Sequence, residues 1–204
     1  MKDALRPPGY ELFFAPLAVV LTPNDFENIQ FAYFSSKYGH LLQLREDGTP
    51  YFDHPKAAAW IYIDELGGRN VRAIIDQLLH DMSENAYLLS PYRLGLNFGI
   101  DIALDVRALT KLPPGKESTT EYLGRIMTRG PQAILAKLCD RLHNLRTMEV
   151  CTLEKQTRQV RETLDYHCPL LIPALREHGG EWAAHANALA VKIAAAIQAL
   201  VPAP

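Results

Sequence analysis

The 204 residues, 48% of them hydrophobic, suffice for one substantial buried core and read as a single domain spanning 1–204. A formal net charge of −2, from 21 basic and 23 acidic residues, excludes a nucleic-acid binder held by bulk phosphate attraction, so any phosphate recognition must be local. Three cysteines, Cys139, Cys151 and Cys168, follow no CxxC spacing and fit a reducing, cytoplasmic setting better than a disulfide framework.

The chain opens with Lys2 and Arg6 offset by Asp3, then Pro7-Pro8-Gly9. No small-residue cleavage site closes the apolar stretch from Leu12 to Leu21, so no signal peptide is expected. Pro16 breaks that stretch, which is too short to span a membrane. Residues 1–22 are therefore read as an extension packing on the domain or on a second subunit, and no membrane partner is expected. Val19-Val20-Leu21 is the only compact β-branched run.

Thr22-Pro23 starts a helix through Phe26, Ile29, Phe31 and Phe34 to about His40. Arg45 to Tyr51, with Gly48, is a loop or short hairpin. Pro55 begins a helix that turns Ala57, Ala58, Ala59, Ile61 and Ile63 inward and ends at Gly67-Gly68. Val71 to Ser83 is helical, with Ile74, Ile75, Leu78 and Leu79 apolar, and delivers His80, Asp81 and Glu84 near its end.

Ser90-Pro91 breaks the chain before Leu94, Leu96 and Phe98, and a helix follows from about Asp101 to Leu109. Pro113 to Ser118 is the clearest flexible segment. Tyr122 to Met127 and Pro131 to Met148 are helical; the latter carries Asp140, His143, Asn144 and Thr147 on one face and Leu138, Leu142 and Leu145 on the opposite, buried face. Lys155 to Leu175 is a further amphipathic helix. Gly179-Gly180 separates it from an alanine-rich helix over 181–200, either a fold-closing element or an oligomer contact. About seven helices joined by short connections make a compact all-α, multi-helix bundle.

Two imidazoles and two carboxylates stand out: His54, the adjacent His80-Asp81, and Asp140. Two core histidines and a helix-capping aspartate would be the bland account. Taken together, the four are what a divalent-metal hydrolase needs, and imidazole with carboxylate suits a first-row ion such as Mn²⁺. The chain reads as a metal-dependent phosphohydrolase with its metal site between helices. Cys139, beside Asp140, is expected in the core rather than on the ion.

The same residues carry a family resemblance. Arg45 to Pro55 (REDGTPYFDHP) resembles the arginine-to-HP segment opening the hydrolase (HD) domain of RelA/SpoT-type alarmone enzymes. Phe98-Gly99 and Leu109-Thr110-Lys111 resemble its FG and TK landmarks, and Lys137 to Thr147 (KLCDRLHNLRT) is similar to its KLADRLHNMRT box. Arg161-Glu162-Thr163 through Pro169-Leu170 resembles the helix that follows, so the resemblance runs in order over roughly residues 35–172.

It implies a small alarmone hydrolase with the family's hydrolase domain and neither its synthetase nor its regulatory domains. The implied reaction is Mn²⁺-dependent removal of the 3′-pyrophosphate of (p)ppGpp, giving GDP or GTP and pyrophosphate. His54, His80, Asp81 and Asp140 would hold the ion, and Glu84 would orient or deprotonate the attacking water. The family places a second acid after Glu84; here Asn85 stands there and can only hold a water by hydrogen bonds.

Arg45 would meet the nucleotide, Asn144 the ribose and 3′ end, and Lys137 and Arg141 would neutralise phosphate, Arg141 being equally suited to a structural ion pair. His40 is expected to be structural. Glu46 and Asp47 replace the basic and small polar residues usual in guanosine-polyphosphate hydrolases. They motivate a sister specificity for adenosine alarmones, whereas Asn85 motivates a catalytically weak alarmone-binding regulator. A homo-oligomer remains open.

Overall fold

Side chains of Thr22, Asn70, Ser90, Ser118 and Thr152 each cap the start of a helix in this all-α chain. The computed structural model describes residues 7–82 and 90–200. Helix α1 (Tyr10–Ala18) buries Phe13, Phe14 and Leu17. Phe14 meets Phe26 and Tyr33 at ring distances of 5.2 and 5.4 Å, so this N-terminal element belongs to the core. The Val19-Val20 run forms no strand; both residues are exposed in a turn.

Helix α2 (Pro23–Gly39) begins where Thr22 Oγ1 accepts the Asp25 amide at 3.2 Å. A tight hairpin follows: Arg45 N donates to Thr49 O at 2.9 Å, Leu44 bridges Pro50, and Gly48 supplies φ +79° at the turn. Helix α3 (Asp53–Trp60) starts two residues before Pro55 and continues as a π turn over Ile61–Glu65. Gly68 closes it under the Tyr62 ring, where a Cβ would sit 1.9 Å from that ring; only glycine fits.

Helix α4 (Val71–Leu79), capped by Asn70, is buried from Ala73 to Leu79. It ends four residues earlier than the apolar spacing implies, leaving His80 at its C-terminal cap. The break expected at Ser90-Pro91 is instead a helix start: Ser90 Oγ accepts the Arg93 amide at 3.3 Å and proline occupies the first turn of α5 (Pro91–Phe98). Gly99, at φ +89°, separates it from α6 (Ile100–Leu109).

The 113–118 segment is tied down by Glu117, which accepts the Leu112 amide at 2.7 Å and pairs with Arg125 at 2.9 Å. A Ser118–Glu121 capping box then opens α7 (Thr119–Met127). In helix α8 (Pro131–Thr147) Leu138, Leu142 and Leu145 are fully buried as expected, and the enclosure reaches further than one face: residues 133–143 are all buried. Packed by α3, α4, α6 and α7 it lies at the centre, so even its polar residues are enclosed.

The single helix expected over 155–175 is three pieces: α9 (Leu153–Glu162), a π turn (Thr163–His167) and α10 (Cys168–Glu177). Pro169 and Pro173 cannot donate the helical bond, and the wider turn swings His167 fully inward. Helix α11 (Gly180–Leu200) lays His185, Ala186, Leu189, Ile193 and Ala196 toward α8 and α10. By length and composition alone it could cross a bilayer, and 28% of its most apolar window is buried here. The helical pieces are thus more numerous and shorter than seven.

Candidate metal centre

The first turn of α3, the end of α4 and the middle of α8 bring His54, His80, Asp81 and Asp140 together. Ligand atoms of His54, His80 and Asp81 all lie within 4.8 Å of one another. Nε2 of His54 stands 3.3 Å from Nε2 of His80, 3.6 Å from Asp81 Oδ2 and 3.1 Å from Asp140 Oδ1. Nε2 of His80 stands 3.4 Å from Asp81 Oδ1 and 3.9 Å from Asp140 Oδ1.

The donor chemistry fits a cation. His80 Nδ1 must donate to the Gln77 carbonyl at 2.7 Å, which leaves a lone pair on Nε2. That lone pair faces two carboxylates and a second imidazole, a set of acceptors that only a positive centre or shared protons can reconcile.

Surrounding residues hold these groups in place. Tyr51 OH donates to Asp81 Oδ2 at 2.8 Å, and His40 stacks on Tyr51 at 4.7 Å while its Nδ1 meets Gln43 at 2.8 Å. Lys137 Nζ donates to Asp140 Oδ2 at 2.7 Å, and Asn144 Nδ2 to Asp140 Oδ1 at 2.5 Å. Lys137, Asp140 and Asn144 recur every three or four residues of α8 and so share one face. Arg45 Nη2 reaches Asn144 Oδ1 at 3.2 Å and Thr147 Oγ1 at 3.4 Å.

Burial by itself would raise the Asp140 carboxyl, but Lys137, His54 and His80 hold it well below the usual range. Burial opposes the charge of Lys137 in turn, and Asp140 overrides it to raise that pKa. Asp81 is also lowered: burial works against it, while His80, His54 and the Tyr51 hydroxyl win. His143 is driven well below the ordinary histidine range by burial, then by His54 and Arg45, so its ring is neutral.

The four residues form the floor of a cleft of about 440 Å³ whose walls include Arg45, Glu46, Asp47, Lys137, Arg141 and Asn144. Their side chains are differently engaged. Glu46 pairs with Lys155 and accepts from Cys151 Sγ at 3.1 Å. Asp47 Oδ1 accepts the Thr49 amide at 2.9 Å and its hydroxyl at 2.6 Å. Arg141 lines the cleft and is also engaged behind it: its Nη2 lies 2.9 Å from His167 Nε2 and 3.5 Å from Glu162, and its Nη1 meets Gln159. Cys139 is in the core, as expected. Glu84 and Asn85 lie outside the described residues.

Tyr51 and His143 went unassigned in the sequence. Tyr51 lies three residues before His54, and His143 three after Asp140 on the same helical face; that spacing was the available signal. Leu44, Met148 and Val150, apolar members of the cleft wall, gave none.

No protein-family model matches the chain. Among curated proteins it is 37% identical over 151 residues to the bifunctional (p)ppGpp synthase/hydrolase RelA of Mycobacterium tuberculosis, covering 72% of this chain and 20% of the relative. It is 36% identical over 142 residues to the guanosine-3′,5′-bis(diphosphate) 3′-pyrophosphohydrolase of Haemophilus influenzae, 64% and 20% respectively. A probable GTP pyrophosphokinase of Mycobacterium leprae is 37% identical over 149 residues, 70% and 18%. The chain thus spans about a fifth of the length of these relatives. A solved structure of a metazoan SpoT ortholog, described as hydrolysing ppGpp and acting in starvation responses, superposes with a TM-score of 0.65 at 22% identity, over 89% of this chain and 98% of that one, a likeness of fold. Taken with the ordered motifs from Arg45 to Thr147, these matches show that the chain belongs to the RelA/SpoT-homologue family.

Proposed function

We propose that this chain is a Mn²⁺-dependent hydrolase that removes the 3′-pyrophosphate of an alarmone such as (p)ppGpp, giving GDP or GTP and pyrophosphate. The observation that carries the reading is the convergence of two imidazoles and two carboxylates on the floor of a cleft large enough for a nucleotide. The relatives named for hydrolysis of this substrate class support it.

In this reading His54, His80, Asp81 and Asp140 hold the ion. When bound, it supplies Lewis-acid charge and eases the ionisation of water. Tyr51 and Asn144 orient the two carboxylates, so neither has to be positioned during the reaction. Lys137 offsets the Asp140 charge and reduces the repulsion an incoming polyphosphate meets. Arg45, aligned by Asn144 and Thr147, offers its guanidinium to the nucleotide. Glu84 is assigned the attacking water, with Asn85 holding it by hydrogen bonds.

Glu46 and Asp47 at the cleft wall favour a second reading, the same chemistry on adenosine alarmones. Turnover on a panel of guanosine and adenosine 3′-pyrophosphorylated nucleotides, with and without a chelator, tests both. Release of pyrophosphate that survives complete removal of metal would end the proposal. Binding without turnover across the panel would instead leave an alarmone-binding regulator.

A further inference from the structure

The two candidate imidazole ligands are fixed in different ways. His80 is wired locally, its Nδ1–H on the Gln77 carbonyl three residues back. Among the described residues His54 has no main-chain acceptor of that kind; its Nδ1 lies 2.7 Å from Nδ1 of His143, 89 residues further along the chain. Two nitrogens that close share one proton, and either ring could carry it. If His143 donates, His54 is left with N–H on Nε2, aimed at Asp140, and cannot bind a cation. If His143 accepts, His54 presents a lone pair on Nε2 to the centre.

A cation at the centre decides between the two. Asp140 has no need of a proton from His54, because Asn144 already donates to Oδ1 and Lys137 to Oδ2. An ion held among His80 Nε2, Asp140 Oδ1 and Asp81 Oδ2, which lie 3.3, 3.1 and 3.6 Å from His54 Nε2, needs a lone pair on that nitrogen, and the proton then left on Nδ1 needs an acceptor, which His143 Nδ1 supplies at 2.7 Å. The rings of His54 and His143 are tilted by 40° at a centroid separation of 4.9 Å, so their contact is a directed one through the two Nδ1 atoms rather than a stack.

We propose that His143 is a positioning residue that accepts the Nδ1–H of His54, holding its own proton on Nε2, and so fixes the one tautomer of His54 able to bind a divalent cation. The inference rests on the reading of His54 as a ligand. It gives α8 a double role: the helix that contributes Asp140 also selects the protonation pattern of the ligand facing it.

The test uses the full chain and two readouts. Mn²⁺ affinity, followed by the spectroscopic signal of the free ion, should fall ~10–100-fold in His143→Leu and return to within a few-fold of wild type in His143→Gln, whose amide oxygen can accept the same bond. Long-range ¹H–¹⁵N spectra with diamagnetic Zn²⁺ should show His54 protonated on Nδ1 in the wild type. Should His143→Leu fail to fold, the wild-type spectrum and His143→Gln still decide the matter. Unchanged affinity in His143→Leu, or His54 protonated on Nε2 with the ion bound, would overturn this inference alone. A wild type that binds neither ion would overturn the ligand reading and this inference with it.

Discussion

Two pairs of aspartates meet at and just beyond helix α4, and the contrast between them explains why one is a candidate site and the other is not. At its C-terminal end Asp81 faces Asp140, and one turn earlier Asp76 faces Asp105, both of these last fully buried. Asp105 is clamped on both oxygens, by Arg72 at 2.6 Å and Arg129 at 2.7 Å. Neither oxygen of Asp76 meets a donor among the described residues, and burial together with the Asp105 charge pushes its carboxyl well above the usual range. One acid has both oxygens taken by arginines and the other is pushed toward its neutral form, so this pair offers no free charge to a cation. At the Asp81–Asp140 pair the partners are one lysine, an amide, a tyrosine and two imidazoles. They keep both acids ionised yet leave lone pairs facing a shared space that opens into the cleft. Burial alone therefore does not make a carboxylate a ligand; the direction of its remaining lone pairs does.

The largest expected effect comes from breaking the ionised pair. Asp140→Ala should lower turnover by ~10³-fold or more and lose Mn²⁺ with it, while helicity by circular dichroism is retained. Activity near wild type in that variant would reduce Asp140 to a partner of Lys137. Breaking the clamped pair should do the reverse. Asp105→Ala removes two charge-assisted bonds from a buried position and should cost about 3 kcal/mol of stability in denaturant unfolding, with metal affinity per folded molecule unchanged.

A third acidic pair, Glu46 and Asp47, lies at the cleft wall, and Glu46 is largely exposed. Because these charges sit near solvent, their stability effect should be small, and their influence should fall on the substrate. Glu46→Lys with Asp47→Ser should change the ratio of kcat/KM between guanosine and adenosine alarmones by ~10-fold, about 1.4 kcal/mol. Equal changes for both substrates would mean that the two acids act only through the shared phosphates.

The smallest effect sharpens the contrast through pH. An acid with a raised folded pKa weakens the fold as pH rises. The unfolded chain releases its proton near pH ~4 and the folded one later, so stability declines from there up to the folded value and is level above it. Asp76→Asn removes that decline and should raise the midpoint of thermal unfolding at neutral pH by a few degrees, about 1 kcal/mol. At pH 3, where Asp76 is protonated in both states, the variant and wild type should melt together; a difference that persists there would mean packing, not charge, is responsible.

Much of this molecule is determined by the sequence taken alone, because the determinants are local. Thr22 and Ser118 cap helices within four residues of themselves, and apolar spacing marks α4 and α8 as helical. The residue types and order of His54, His80-Asp81 and Asp140 already name a divalent-ion donor set, since ligand preference is a property of the side chains themselves. What the tertiary structure alone decided is who holds each of these groups. Tyr51 reaches Asp81 across 30 residues, His143 reaches His54 across 89, and Arg45 reaches Asn144 across 99. Arg141 meets His167 through a π turn that no apolar period announces. The enclosure of residues 133–143 of α8, and the opposite directions in which the Asp76 and Asp140 carboxyls are pushed, follow from which groups surround each side chain. Burial and charge environment are sums over the whole packed chain, whereas caps and periodicity are read within a turn or two.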